Sequence, residues 1–139
     1  MKMMGIVAGL IALGAVSVSG QAMAACSGTA LNGGQMRSQI VGSTVCAARG
    51  SDRWQEFHQS GGSLIDYKMG PTDKVDPSKA VGTWSIENVG GGTTAMRYNY
   101  GTGGTYDYVI YPNGGTSYSF CRAGVELPAT VLPGQVKCP

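Results

Sequence analysis

Hydrophobic and polar residues alternate over residues 82–121, and this alternation predicts four antiparallel strands. Glycine-rich stretches at 89–92, 101–104 and 112–115 separate the strands and are typical of tight turns. Because successive side chains of a strand point to opposite faces, the meander should have one aromatic face and one polar face. The residues of the aromatic face are Trp84, Ile86, Met96, Tyr98, Tyr100, Tyr106, Tyr108, Ile110, Tyr118 and Phe120.

Turns of five residues would keep these side chains on one face, and they predict a specific register. One predicted row across the sheet contains Trp84, Tyr98, Tyr108 and Phe120, and the next contains Ile86, Met96, Ile110 and Tyr118. On the opposite face, the same register places Asn99 beside Asp107. Aromatic rows of this kind usually stabilise a sheet by packing, so we expect a core face. A face that lines a ligand cup is the alternative.

The residues before the meander predict one short helix and three more strands. The helix should begin near Gly34 and end at Val41, with Gly42 at its C-terminal end. Residues 44–48 predict a strand, residues 53–59 and 63–69 a hairpin, and residues 70–79 a loop. The predicted fold is therefore α+β: a short N-terminal helix packed on an antiparallel meander of about six to eight strands, which could curl into a partial barrel.

The first 24 residues have the order of features found in an export signal. Lys2 supplies a positive start, residues 6–18 are uncharged and largely apolar, and Ala22-Met23-Ala24 forms a small-x-small cleavage site. The apolar run is too short to remain as a membrane-spanning helix. We therefore predict a signal peptide over residues 1–24 and a single domain over residues 25–139. That domain should be periplasmic or secreted, monomeric, and without a transmembrane segment.

The four cysteines lie downstream of the predicted cleavage site, where an oxidising compartment favours two disulfides. Three pairings are possible. We favour Cys46–Cys121 with Cys26–Cys138, because the second pair would join the two chain ends. A metal site is not expected, because no C-x-x-C motif is present. Met23-Ala24-Ala25-Cys26 also resembles a bacterial lipobox, but acylation of Cys26 would leave one cysteine without a partner.

Charge and motif content exclude several functions. The chain has 10 Lys and Arg against 8 Asp and Glu, without the basic stripe that a nucleic-acid partner requires. His58 is the only histidine, and neither a Gly-x-Ser-x-Gly elbow nor a free thiolate accompanies it. We therefore expect His58 at the surface or rim, no catalytic residue, no metal and no cofactor. The candidate binding residues are Trp54, His58 and Tyr111.

Several short motifs over residues 34–122 resemble small exported proteobacterial proteins of uncharacterised function. The motifs lie at residues 42–46, 54–58, 66–68, 81–86 and 118–121, and they include Cys46, Trp54, Trp84 and Cys121. This resemblance implies an architecture of one helix and an antiparallel sheet, and it implies no activity. Residues 115–118 also loosely resemble a loop of periplasmic lysozyme inhibitors, which are small disulfide-bonded β-barrels. Because no tryptophan follows Trp84, no inhibitory residue is assigned from that resemblance.

These observations favour a non-enzymatic exported protein that binds a macromolecular partner in the cell envelope or outside the cell. One alternative is a small hydrolase that uses His58 with Glu56 or Asp66. A second alternative is a small-ligand carrier in which the aromatic row lines a cup. The state of the aromatic face distinguishes them, because a face filled by the helix is core and an open face is a pocket.

Overall fold

A computed structural model describes residues 25–67 and 78–139. The predicted signal peptide and most of the predicted 70–79 loop lie outside the described residues. A 3-10 turn at Gly101–Gly103 joins the fifth and sixth strands. The elements in chain order are α1 (Gly33–Gln39), β1 (Ser43–Arg49), β2 (Asp52–His58), β3 (Ser63–Tyr67), β4 (Ser78–Asn88), β5 (Thr94–Asn99), β6 (Thr105–Gly114), β7 (Ser117–Arg122) and β8 (Val125–Pro133).

The eight strands form a closed barrel in which each strand pairs with the next one along the chain. All pairs are antiparallel, and β8 pairs with β1 to close the sheet. The predicted combination of one helix and an antiparallel sheet is confirmed. The barrel is closed rather than partial, because β8 pairs with β1 and so leaves no unpaired edge.

The predicted register is confirmed between β4 and β5. Trp84 lies opposite Tyr98, and Ile86 lies opposite Met96. These four side chains point into the barrel, where they are buried or pack against buried residues. For β4 and β5, the alternation of hydrophobic and polar residues therefore predicted both the inward-facing side chains and their partners across the strands.

Between β5 and β6 the predicted register is wrong by two residues. Tyr98 lies opposite Tyr106 and not opposite Tyr108. The five-residue turn begins at Tyr100, whose backbone N–H donates to the carbonyl oxygen of Gly104 at 2.9 Å. A shift of two residues keeps every side chain on its face, so the aromatic residues still point inward.

The register between β6 and β7 is also shifted by two residues. Ile110, rather than Tyr108, lies opposite Phe120. The strands continue as far as the pair Gly114 and Ser117, so only two residues form the turn. The predicted five-residue turn was therefore too long, because part of the glycine-rich stretch belongs to β6.

The register shift also changes the outer face of the barrel. Arg97 lies opposite Asp107, and Asn99 does not. Arg97 Nε donates to Asp107 Oδ1 at 2.7 Å, and Nη2 donates to Oδ2 at 2.9 Å. The two side chains form a two-point ion pair on the exposed surface.

Helix α1 covers one end of the barrel, which we call the closed end. Its first turn has a capping box: Asn32 Oδ1 accepts from the Gln35 backbone N–H, and Gln35 Oε1 accepts from the Asn32 N–H. Met36 and Ile40 are fully buried, and α1 contacts β4 and β5. Within the described part of the chain, no helix is long and apolar enough to cross a membrane.

The N-terminal segment contacts β6 before α1 begins. The backbone N–H of Leu31 donates to the carbonyl oxygen of Ile110 in β6 at 2.8 Å. Cys26 lies further back along this segment and bonds to Cys121 in β7. The segment is therefore held by β6 through a hydrogen bond and by the neighbouring β7 through the disulfide.

The C-terminal segment crosses the outside of β1 after β8 ends. The Val136 N–H donates to Thr44 Oγ1 at 3.1 Å, and that hydroxyl donates to the carbonyl oxygen of Gly134 at 2.6 Å. Cys138 bonds to Cys46, which lies two residues beyond Thr44 on the same face of β1. The second disulfide therefore fastens the C-terminal segment to the strand that it covers.

All four cysteines are paired, which confirms the prediction of two disulfides. The favoured pairs Cys46–Cys121 and Cys26–Cys138 are wrong. Cys26 bonds to β7 and Cys138 bonds to β1, because the described segments that carry them lie against the barrel wall and not against each other. The Cys26 sulfur is bonded to Cys121 in this structure and is not available for acylation.

Candidate functional site

The barrel holds a cavity of about 530 Å³ that opens at the end opposite α1. We call this the open end. Fully buried residues, among them Met36, Ile40, Leu64, Met96 and Ile110, fill the half nearer α1. An eight-stranded barrel is wide enough either to be filled by side chains or to hold one small ligand. This barrel is filled in the half near the closed end and hollow in the other half.

Six aromatic rings form much of the cavity wall. The aromatic face is therefore core at the closed end and cavity wall at the open end. Tyr108 contacts Tyr98 and Phe120 edge to face, with ring centroids 5.9 Å and 6.2 Å apart, and Tyr98 stacks on Tyr100 with centroids 6.4 Å apart. These contacts stabilise the wall without filling the cavity. The rings are those of Trp54, Tyr98, Tyr100, Tyr106, Tyr108 and Phe120.

Strand β2 contributes a carboxyl group to this aromatic wall. Glu56 lies on the inner face between Trp54 and His58, and Tyr100 Oη donates to Glu56 Oε1 at 2.7 Å. Burial raises the pKa of Glu56 from its ordinary value of 4.5 to about 7. The Tyr100 hydrogen bond acts in the opposite direction, and repulsion from Asp66 adds a smaller upward contribution to the pKa.

Glu56 lines the cavity, and within the described residues only one of its two carboxyl oxygens is hydrogen-bonded. Oε2 has no hydrogen-bond partner among the described residues, yet it is not enclosed by protein, unlike the unpaired oxygen of Gln55. Over residues 25–67 and 78–139, no lysine or arginine lies within ion-pair distance of Glu56. The cavity wall therefore presents one unpaired carboxyl oxygen in largely apolar surroundings.

His58 lies deeper in the barrel and has both ring nitrogens occupied. Nδ1 lies 3.1 Å from the backbone carbonyl oxygen of Glu56, and Nε2 lies 2.7 Å from Tyr98 Oη. Burial lowers the pKa of His58 from 6.5 to about 4, although the hydrogen bond to Glu56 opposes this effect. The ring is therefore neutral at pH 7: Nδ1 donates to the carbonyl oxygen, and Nε2 accepts from Tyr98.

The expectation of a surface or rim histidine is wrong, because only 1% of His58 is exposed. His58 is the last residue of β2 and so lies towards the closed end, where its ring centroid is 6.3 Å from that of Trp84. Its hydroxyl partner is Tyr98, and burial raises the pKa of Tyr98 well above the ordinary value. This geometry provides neither a free base nor an activated nucleophile.

The structure brings together two of the three predicted binding residues. Trp54 and His58 both lie on the cavity side of β2. Tyr111 lies opposite Ser119, whereas the neighbouring inward pair is Ile110 and Phe120, so Tyr111 points away from the cavity. Tyr111 therefore does not line this cavity, and its part in binding stays a prediction.

Glu56 and Tyr100 were not among the predicted binding residues, although both line the cavity. The alternation Trp54-x-Glu56-x-His58 places these three β2 side chains on one face, and it was the sequence feature that could have indicated Glu56 as a lining residue. Tyr100 had been assigned to the aromatic face with no indication of a partner. Its contact with Glu56 depends on two strands that are 44 residues apart in sequence.

Two arginines lie at the open end of the cavity. Arg49 is exposed, and its Nη2 donates to the carbonyl oxygen of Glu126 at 3.1 Å. Arg122 is also exposed, and its guanidinium carbon lies 4.9 Å from the centroid of the Tyr106 ring. The two positive charges therefore belong to the rim and not to the interior.

The part of the chain that the structure describes contains no group of three or more His, Cys, Asp or Glu side chains that could hold a metal ion. Comparison with known proteins gave no match, either to a family model, to a curated protein or to a solved structure. The resemblance to small exported proteobacterial proteins therefore stays a prediction.

Proposed function

We propose that this protein binds a small organic molecule inside its barrel and acts as an exported carrier of that ligand. The observation that carries this proposal is the open cavity of about 530 Å³, with its aromatic wall and unpaired carboxyl oxygen. Ligand pockets in proteins usually have volumes of about 300–1,000 Å³, with mostly apolar walls and a few polar groups. The cavity has these properties.

The distribution of side chains supports a binding site over an accidental packing defect. Large apolar residues fill the closed end of the barrel completely. The unfilled space at the open end is therefore not a general failure of packing in this fold. Unfilled space in a core lowers stability, by about 24 cal/mol per Å³ in one measured series. A large space lined by aromatic rings and one carboxyl group is more consistent with a ligand site.

The proposal favours the carrier over the other two hypotheses from the sequence. The hydrolase hypothesis requires His58 as a free base, but the hydrogen bonds to Glu56 and Tyr98 occupy both its nitrogens. A macromolecular partner stays a prediction without a particular surface to support it.

The proposal includes export of the protein from the cytoplasm. Two disulfides are typical of an oxidising compartment, and we place the carrier in the periplasm or outside the cell.

Titration with a neutral dye tests the proposed function. N-phenyl-1-naphthylamine fluoresces strongly in apolar surroundings, and we expect saturable enhancement with the wild-type protein. Ala47 lines the cavity, so Ala47→Phe should fill part of it and weaken dye binding by roughly tenfold or more. The matched control is Ala48→Phe, because Ala48 is exposed on the outer face of the same strand.

Circular dichroism should show that both variants are folded before their affinities are compared. Retention of wild-type affinity in Ala48→Phe with loss in Ala47→Phe supports binding inside the barrel. Absence of saturable binding in the wild type, or equal affinity in the two variants, would overturn the proposal.

A further inference from the structure

We propose that the cavity selects a ligand with a cationic amine on a flat apolar body, and that the amine binds Glu56 Oε2. This inference rests on the proposed function and specifies the chemical class of the ligand. It follows from three features of the cavity: the partner that Glu56 lacks, the faces that the rings present, and the position of the arginines.

The first feature is the missing partner of Glu56. An ionised carboxylate in apolar surroundings is unfavourable unless it is paired with a cation or accepts further hydrogen bonds. Glu56 has one hydrogen bond, from Tyr100, and no lysine or arginine of the described ranges pairs with it. Asp66 lies opposite Glu56 on β3 and adds negative charge to the same region. A ligand ammonium would supply both the positive charge and the donors.

The second feature is the chemistry of the wall around this oxygen. The face of an aromatic ring carries partial negative charge and attracts cations, most strongly where water is excluded. Tyr100 and Tyr108 line the same cavity as Glu56, together with Trp54. The hydroxyls of Tyr98 and Tyr100 already donate to His58 and Glu56, so they do not offer donors to an anion.

The third feature is the location of the positive charges. Arg49 is held by the carbonyl oxygen of Glu126, and Arg122 stacks on Tyr106. Both arginines are exposed at the rim, so an anionic ligand would find its charge partners outside the apolar part of the cavity. The rim can accommodate a polar tail of the ligand, while the interior favours its amine.

A proton and a ligand amine would compete for the same carboxyl group. Binding of an ammonium requires the ionised form of Glu56, whose pKa is about 7 in the empty protein. The affinity for an amine should therefore fall by roughly tenfold between pH 8 and pH 6, whereas the affinity for a neutral analogue should not change. The other titratable or charged groups on this face of the barrel are His58, Asp66, Tyr98, Tyr100, Tyr106, Tyr108, Arg49 and Arg122, with the exposed Asp52 opposite Arg49 and the exposed Lys79 opposite Asp66.

His58 and the buried tyrosines around Glu56 do not titrate between pH 6 and pH 8. The pKa of His58 is lowered to about 4, so its ring stays neutral in this interval. Burial raises the pKa values of Tyr98 and Tyr100, so their hydroxyls also stay neutral. Any pH dependence that is specific to the amine is therefore attributed to Glu56.

Isothermal titration calorimetry with three phenyl compounds tests the inference. The compounds are 2-phenylethylamine, the neutral 2-phenylethanol and the anionic 3-phenylpropanoate. We expect the wild type to bind the amine about 10- to 100-fold more tightly than the alcohol at pH 8, as a charge-assisted hydrogen bond predicts. Glu56→Gln should remove this preference, because glutamine keeps the Tyr100 hydrogen bond and loses the charge.

Glu87→Gln is the matched control, because Glu87 lies on the outer face of β4 next to the inward-facing Ile86. This variant should keep both the preference for the amine and its pH dependence. The amine inference is overturned if the wild type binds the alcohol or the propanoate as tightly as the amine, or if Glu56→Gln keeps the preference. Binding of N-phenyl-1-naphthylamine would then still support the carrier, whereas failure of all four compounds would overturn both proposals.

Discussion

Burial of Glu56 makes the free energy of unfolding depend on pH. The pKa is about 7 in the folded protein and 4.5 for the unperturbed group. Between these pH values the folded state keeps a proton that the unfolded chain has released. The free energy of unfolding should therefore fall by about 3 kcal/mol as the pH rises from 4.5 to 7, since each pH unit of pKa difference corresponds to about 1.36 kcal/mol.

His58 produces the opposite dependence over nearly the same interval. Its pKa is about 4 in the folded protein and 6.5 for the unperturbed ring, so the unfolded chain holds the extra proton. This contribution to stability is fully present above pH 6.5 and is lost as the pH falls towards 4, again by about 3 kcal/mol. The two slopes should nearly cancel in the wild type, whose stability should be almost constant from pH 4.5 to 6.5.

Urea denaturation followed by tryptophan fluorescence at pH 4.5, 5.5, 6.5 and 7.5 measures the two slopes separately. Glu56→Gln should become more stable as the pH rises to 6.5, because only the His58 dependence is left. His58→Gln should become less stable over the same range, whatever its absolute stability. Glu87→Gln should match the flat wild-type profile. If the unfolding free energies of the Glu56 and His58 variants changed with pH in the same direction, the reasoning would be refuted. Such a result would show that burial does not shift the two pKa values in opposite directions.

Three further predictions concern the barrel itself. Peptide mapping without reduction should find Cys26 linked to Cys121, and a link between Cys26 and Cys138 would contradict the structure. Replacing both Cys26 and Cys121 by serine should lower the free energy of unfolding in urea by about 5 kcal/mol, because 95 residues separate them. Asp107→Asn should change the unfolding free energy by less than about 1 kcal/mol, because its ion pair is exposed; a loss several times larger in urea denaturation would contradict this. Gly82→Ala should cost about 1–3 kcal/mol, because a Cβ would clash with a carbonyl oxygen at the end of β5. Gly33→Ala, where a Cβ makes only ordinary contacts, is the control, and equal thermal shifts for both variants would contradict the clash.

Alternation predicted the faces of the strands better than it predicted their neighbours. A period of two places Tyr98, Tyr106 and Tyr108 on one face, and a slip of two residues leaves that face unchanged. The choice between Tyr106 and Tyr108 as the partner of Tyr98 depends on where the turn begins, and Gly101 and Gly104 both suit a turn. The face was therefore predictable from the sequence, while the register depended on turn geometry that glycine content alone does not determine.

Closure of the barrel depends on β8, and the sequence contains an alternating pattern that indicates this strand. Val125, Leu127, Ala129 and Val131 alternate with other residues along β8. Pro128 weakened that signal, since a proline cannot donate to a neighbouring strand. Even a correct prediction of β8 would not have shown closure, because pairing with β1 joins residues that are far apart in sequence. The disulfide pairs were missed for the same reason, since they depend on which strands the chain ends cross.

The proposed function depends on how deep each polar side chain lies inside the barrel, and the pattern of residues along a strand does not give that depth. Trp54, Glu56 and His58 are consecutive inward positions of β2, so alternation alone treats them as equivalent. In the structure they run from the open end towards the closed end. Tyr98 pairs with the deepest of these side chains, His58, whereas one carboxyl oxygen of Glu56 has no hydrogen-bond partner in the described part of the chain. A polar residue in an inward position is thus a signal for function only when the other strands leave it unsatisfied, and this is why we propose that a ligand binds Glu56 rather than the only histidine.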